Sequence, residues 1–328
     1  MKRVLTGYRP TGRLHLGHLV GNLQNMVQLQ AKYDCYFFIA DWHALTTDYA
    51  DTGQLPAYTR EMVLDWLAFG LDPQKSVIYR QADIPEVAEL ALYLGMLTPL
   101  AWLERNPTYK EQLVELKNKE IATYGFIGYP VLQAADIMIV HGEMVPVGED
   151  QLPHLELSRE IARRFNYLYG DYLTEPHALL SKGKRVPGTD GRKMSKSYDN
   201  AVFLTEEPDQ IYKKVRMMVT DPARVRRNDP GHPEVCTVFA VHQVFTSAEV
   251  AKIEADCRAA QVGCTDCKKL LAASISEELA EFRARREELA ARPQVTEEVL
   301  ADGADRARAV AKETLKEVRT RMNICLTR

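Results

Sequence analysis

The sequence predicts an α/β protein: a parallel sheet with helical crossovers in its first part, then an all-helical domain. Two observations carry this. Short apolar runs closed by turn or polar residues alternate with amphipathic helical patterns, as buried parallel strands and their crossover helices do. After residue 200 the strand-like runs stop and helical patterns dominate. With 328 residues, 46% of them hydrophobic, the chain can build two cores.

Taken in order, "RVLTG" (residues 3–7) is the first strand, and a turn leads from it into a helix from Leu19, where Leu19, Leu23, Met26 and Val27 share one face. "CYFFIAD" (35–41) is the second strand. A helix follows with Met62, Val63, Trp66, Leu67 and Phe69 on its apolar side and stops at Gly70. "SVIYRQ" (76–81) is the third strand. The segment "SKGKRVPGTDGRKMSKSYDN" (181–200) has the Gly, Pro and Lys/Arg content of a mobile surface loop. Helices are predicted over 205–219, 247–260, 267–293 and 295–324. The division is residues 1–192 for the sheet domain, 193–200 for a lysine-bearing loop and linker, and 201–328 for the helical domain.

Bulk properties remove several function classes. The net charge of −3 supplies no general attraction for nucleic acid, so any such contact needs local basic patches. There is no long apolar run to span a bilayer and no apolar leader at the N-terminus, so a cytoplasmic location is expected. Six cysteines in so long a chain are not a disulfide framework. Cys236, Cys257, Cys264 and Cys267 crowd into one window as C-x20-C-x6-C-x2-C, a spacing that suits zinc or an iron–sulfur cluster equally. Cys35 and Cys325 read as structural.

Neither the Walker phosphate loop nor the dinucleotide glycine fingerprint occurs. The turn "YRPTGRLHLGH" instead places His15, Gly17 and His18 between a strand's carboxyl end and a helix start, where open parallel sheets bind ligands and backbone N–H groups attract anions. Gly17 would let a nucleotide approach the backbone. His15 and His18 could donate to phosphate oxygens, could be core histidines, or could be half a metal site lacking its other ligands. The second signal is "GRKMSKS": Lys193 and Lys196 on a loop suit neutralisation of a polyphosphate leaving group, or are solvated charge.

"HLGH" (15–18) and "KMSKS" (193–197) resemble the two signatures of the class I aminoacyl-tRNA synthetases. With "GYRPTGRLHLGHLVG", "ADWHALT", "YPVLQAADI" and "VPVGEDQLPHLELSREIARRFN", the likeness extends over nearly the whole chain to the bacterial tryptophanyl-tRNA synthetase family. The resemblance implies a Rossmann-like catalytic domain, an anticodon-binding helical domain, and tryptophan activation by ATP and Mg2+ followed by transfer to tRNA(Trp). His15, His18, Lys193 and Lys196 would be catalytic. ATP would meet Arg9, Pro10, Thr11, Gly17, His18, Gly148, Glu149, Asp150, Val186, Lys193, Met194, Ser195, Lys196 and Ser197. Magnesium would be held mainly by the phosphates.

In the same likeness Asp136 would accept from the indole N–H, which is a donor only. Tyr129, Gln133, His43, Val145, Val147 and Gln151 would be its pocket neighbours. Leu5, Arg9 and Gln133 depart from typical members, and Arg9 would bring a full charge where a neutral side chain is usual. A subset of the family carries a [4Fe–4S] cluster on a cysteine pattern with the same last two spacings, so the four cysteines are expected to hold that cluster, with zinc second. A homodimer is expected, with no membrane attachment. For RNA, Arg224, Arg226, Arg227, Lys268 and Lys269 are the candidate cations, whereas "FRARREE" (282–288) reads as a solvated face. The alternatives are a tyrosine-specific relative, a small-substrate adenylyltransferase, or a non-catalytic RNA-binding or cluster-sensing paralogue.

Overall fold

The structure is a computed structural model, and it describes residues 1–107, 109–110, 121–180 and 186–324. Cys325 and the side chain of Ser197 lie outside the described residues. Strands β1 (Arg3–Tyr8), β2 (Asp34–Ile39), β3 (Ser76–Arg80), β4 (Met144–Val147) and β5 (His177–Leu180) form one parallel sheet in the order β3-β2-β1-β4-β5. In register, Arg3 stands opposite Asp34, Cys35 opposite Ser76, and Met144 opposite His177. The first three strands are those expected. The other two are four residues each, and Pro146 sits within β4, a residue that argues against a strand in sequence.

After β1 the chain forms α1 (Leu16–His18), a π-helical stretch (Leu19–Leu23) and α2 (Gln24–Leu29). The helix starts three residues before Leu19 because the His15 side chain caps it, accepting the Gly17 N–H. α3 (Asp41–Asp48) and α4 (Leu55–Phe69) follow β2, and α4 ends at Gly70 with φ 108, the left-handed stop that glycine adopts freely. α5 (Pro85–Leu97), α6 (Leu100–Glu104), α7 (Tyr124–Ile139) and α8 (Leu152–Tyr169) complete the sheet region. Beyond it come α9 (Pro208–Met217), α10 (Thr237–Phe245), α11 (Val250–Arg258), α12 (Cys264–Glu278), α13 (Ala280–Ala290) and α14 (Val295–Arg321). The single helix expected over 267–293 is two, meeting at Leu279.

Strand side chains alternate between two cores. Val4, Phe37, Ile39 and Ile78 face α2, α4, α9, α12 and α13; Leu5, Tyr36, Phe38, Val77 and Tyr79 face α5, α7, α8 and α14. α14 bridges the two, with Leu300 in the first core and Ala307, Ala311, Leu315 and Val318 in the second. It lies against β3 so closely that a Cβ on Gly303 would fall 1.8 Å from the Ile78 carbonyl oxygen. The β3 edge is therefore covered by a helix rather than left open to pair. Arg286 of α13 reaches α4, its Nε 2.7 Å from the buried Asp65 carboxylate and its Nη2 on Glu61. That corrects the reading of "FRARREE" as solvated charge. No helix among the described residues is long and apolar enough to cross a membrane.

Candidate active site

An open parallel sheet binds ligands beyond its carboxyl ends, where the strand order reverses. Here the reversal falls between β1 and β4, and a cavity of about 340 Å³ opens there, lined by Leu5 to Arg9 and Val145 to Gly148. All seven residues expected to hold an amino acid line it: Asp136, Tyr129, Gln133, His43, Val145, Val147 and Gln151.

Asp136, on α7, is 2% exposed. His43 Nε2 lies 2.9 Å from its Oδ2, and Gln81 Nε2 donates to Oδ1 at 2.8 Å and Oδ2 at 2.9 Å. Burial pushes the Asp136 carboxyl above its ordinary value, and the His43 and Gln81 contacts hold it back. Gln81 was not singled out from the sequence. It follows β3, is fully buried, and its Oε1 accepts from the Trp42 N–H at 3.1 Å, which turns the NH2 end towards Asp136. A second missed group stands beside Tyr129, whose hydroxyl lies 2.8 Å from His154 Nε2, with His154 Nδ1 2.9 Å from Asn106 Nδ2. Burial lowers His154 to about 4, so the ring is neutral at pH 7.

The rings of the two histidines of the first signature lie 3.8 Å apart between centroids, tilted by 36°. His15 Nδ1 accepts from the Gly17 N–H at 3.1 Å, and His18 Nδ1 accepts from the His15 N–H at 3.2 Å. Burial, with Lys196 and Lys193 nearby, lowers His15 to about 4 and His18 to about 3. Both rings are therefore neutral, and because each Nδ1 accepts, each proton sits on Nε2 as a donor. A Cβ on Gly17 would come within 3.0 Å of the His15 ring, so the glycine makes room for that histidine. Among the described residues no group of three or more His, Cys, Asp or Glu is placed to hold a metal ion, neither around this pair nor at Cys236, Cys257, Cys264 and Cys267.

The lysine loop comes back over the helix start. Leu16 N–H donates to the Val202 carbonyl at 3.0 Å, and Leu204 N–H to the Leu14 carbonyl at 3.1 Å, joining the stretch before α1 to the stretch after the loop. Lys196 Nζ is 3.5 Å from Thr11 Oγ1, and burial, then Arg9, lowers its ammonium to about 8. Arg9 lines the cavity, lies 3.4 Å from Thr47 Oγ1, and its charge is felt at both Lys196 and Tyr129, so it stands between the lysine and the amino-acid pocket. Met194 and Val186 are buried, Met194 close to Gly17. Ser195 N–H is bound within the loop, and Lys193 is exposed. Pro10 is buried; Glu149 and Asp150 are exposed on the turn after Gly148.

In the helical part, two cations expected to meet RNA are engaged internally. Arg224 donates to the Arg227 and Val262 carbonyls and approaches Cys257 Sγ, and Lys268 donates to the Arg216 and Met218 carbonyls, closing the end of α9. Arg226 and Arg227 are exposed, and Lys269 pairs with Asp266. Cys236, Cys257, Cys264 and Cys267 are half-buried thiols without disulfides. Burial and the other three cysteines push Cys267 up to about 12.

A sequence model of the tRNA synthetases class I (W and Y) matches residues 1–280. The chain belongs to this family. It is 51% identical over 325 residues to a tryptophan–tRNA ligase of Thermotoga maritima, covering 98% of this chain and 99% of that protein. It is 47% identical to that of Aquifex aeolicus, covering 98% and 100%. The crystal structure of tryptophanyl-tRNA synthetase from Campylobacter jejuni, complexed with ADP and tryptophan, superposes with a TM-score of 0.89 at 34% identity, covering 98% of this chain and 99% of that one. A tyrosyl-tRNA synthetase from Archaeoglobus fulgidus, at 21% identity and a TM-score of 0.68, shares the fold. The class I sheet and helical region thus stand as the two signatures implied.

Proposed function

We propose that this chain is a tryptophan–tRNA ligase and that the residues gathered around the β1/β4 crevice perform its chemistry. The observation that carries the reading is Asp136: a buried, oriented acceptor lining the cavity at the switch point. An indole N–H satisfies it, and phenylalanine would leave it unpaired, which a buried polar site rejects strongly. Tyrosine could also donate to it, so cavity shape sets that boundary.

In the first step a carboxylate oxygen of tryptophan attacks the α-phosphorus of ATP, the bond to the bridging oxygen breaks, and pyrophosphate leaves with its electron pair. His15 and His18 offer neutral Nε2–H donors to the phosphates, and Lys196, Lys193 and Arg9 supply charge where it accumulates. Magnesium, which the phosphates would mainly hold, would add charge neutralisation when bound. Pro10, Thr11, Gly17, Gly148, Glu149, Asp150, Val186, Met194, Ser195 and Ser197 complete the proposed nucleotide site. In the second step the ribose 2′-hydroxyl of the terminal tRNA adenosine attacks the acyl carbon and AMP leaves. No covalent enzyme intermediate forms, and positioning and charge carry the rate.

The proposed division keeps residues 1–192 for this chemistry, 193–200 for the loop and 201–328 for the anticodon, with Arg226, Arg227 and Lys269 as the remaining candidate RNA contacts. A homodimer is supported by exposed Leu92, Met96, Leu100 and Tyr124, with Tyr124 lying over Gly95 of α5. Cys236, Cys257, Cys264 and Cys267 are proposed to hold a [4Fe–4S] cluster. Their spacing, C-x20-C-x6-C-x2-C, supports it. Bound there, the cluster would fix the segments around α10 to α12. Iron-free protein after anaerobic purification would refute this. The ligase reading is tested by charging of tRNA(Trp) with labelled tryptophan; no ester formed with folded protein would refute it.

A further inference from the structure

We propose that Asn200 is the positioning residue of the lysine loop, its buried amide holding Lys193 and Lys196 as one rigid unit for the departing pyrophosphate; this rests on the adenylation reading above. Asn200 is 2% exposed, and both ends of its amide are bound. Nδ2 donates to Asp190 Oδ1 at 2.7 Å and to the Lys193 carbonyl at 3.1 Å, while Oδ1 accepts from the Ser195 N–H at 2.8 Å. One end faces acceptors and the other a donor, so the amide has a single orientation.

The backbone closes around it. Thr189 N–H donates to the Asn200 carbonyl at 2.9 Å and Gly188 N–H to the Arg192 carbonyl at 2.7 Å. Gly188 sits so near that a Cβ would fall 2.2 Å from Asn200 Nδ2. Asp199, in the left-handed region at φ 49, turns the chain after Lys196–Tyr198 to lead into Asn200, a conformation short polar residues tolerate. Residues 188–200 therefore form a ring closed on one side chain. Asn200 touches no reacting atom. It fixes Lys193 through that residue's own carbonyl and Lys196 through its neighbour Ser195.

The test measures the two steps separately in single turnovers: adenylate formation from tryptophan and ATP, then transfer to tRNA(Trp) from adenylate freed of pyrophosphate. Lysines that act on pyrophosphate have no work in the second step. A misplacement of about 1 Å costs about 10²-fold, so Asn200→Ala is expected to slow adenylate formation by that factor. Transfer and the KM for tryptophan should not change. Equal loss in both steps, or no loss, overturns the role. If Asn200→Ala does not fold, Asp190→Ala removes the outer partner of the same amide and should give the same step-selective loss, smaller in size; unselective or absent loss overturns the role equally. Folded wild-type protein inactive in both steps overturns the adenylation reading and this role with it.

Discussion

Replacing Gln81 with leucine removes the amide that donates to both oxygens of Asp136, at 2.8 and 2.9 Å, and the carbonyl that accepts from Trp42. Among the described residues, the other side chain on Asp136 is His43. The bond at stake for the substrate is the one from the indole N–H to Asp136, which Gln81 keeps oriented and charged; a hydrogen bond to a charged group contributes about 1.5–3 kcal/mol, which corresponds to roughly 10- to 150-fold in affinity. The loss also releases one of the two groups that oppose the upward push of burial on the Asp136 carboxyl, so it takes a proton more readily. Only the deprotonated form offers a charged acceptor to the indole N–H, and that form grows with pH. In Gln81→Leu the KM for tryptophan should therefore rise by about 10- to 150-fold at neutral pH and recover partly as pH rises, with the KM for ATP unchanged. Pyrophosphate exchange with each substrate varied in turn, across pH 6 to 8.5, reads this out. An unchanged KM for tryptophan, or an equal rise for ATP, would refute the reasoning.

Further outcomes follow from other parts of the molecule. Lys196, lowered to about 8 by burial and Arg9, is charged below that pH, so kcat/KM for ATP should fall as pH passes 8, and Lys196→Arg should move the fall to higher pH. His15 and His18, at about 4 and 3, should add no limb near pH 6.5 to the same profile. Gly303→Ala forces a Cβ onto the Ile78 carbonyl and should cost about 1–3 kcal/mol or more by denaturant unfolding, with little effect if α14 does not press on β3. Arg286→Ala strands the buried Asp65 carboxylate, and breaking such a pair costs about 3–5 kcal/mol. Burial already holds Asp65 up at about 6, so protonation relieves the variant and its loss should be larger at pH 8 than at pH 5; the opposite slope in unfolding experiments would contradict the buried pairing.

What could be read from the sequence follows from what leaves a periodic trace. The first three strands, α4 and its stop at Gly70 are plain because apolar runs, helical spacing and a C-terminal glycine are local signals. β4 hides behind Pro146, and α10, "TVFAVHQVF", is short and rich in β-branched and aromatic side chains, a composition that suits a strand as well as a helix. The pocket residues around Asp136 were legible only because the motifs resemble a known family. Gln81, His154, Asn106 and Asn200 were not, since a neutral polar side chain gains its role from partners 25 to 55 residues away or from a loop's fold. Cations mislead for a related reason: nothing in the letters K and R shows that the carbonyls of Arg216 and Met218 await Lys268, or that Asp65 awaits Arg286.

The most direct test of tryptophan activation at the β1/β4 crevice is amino-acid-dependent ATP–pyrophosphate exchange, with tryptophan, tyrosine and phenylalanine offered separately to the wild-type chain and to Asp136→Ala. Exchange with tryptophan alone, lost in the variant, is the expected result. Exchange driven by tyrosine, or exchange with tryptophan that survives the loss of Asp136, would contradict it.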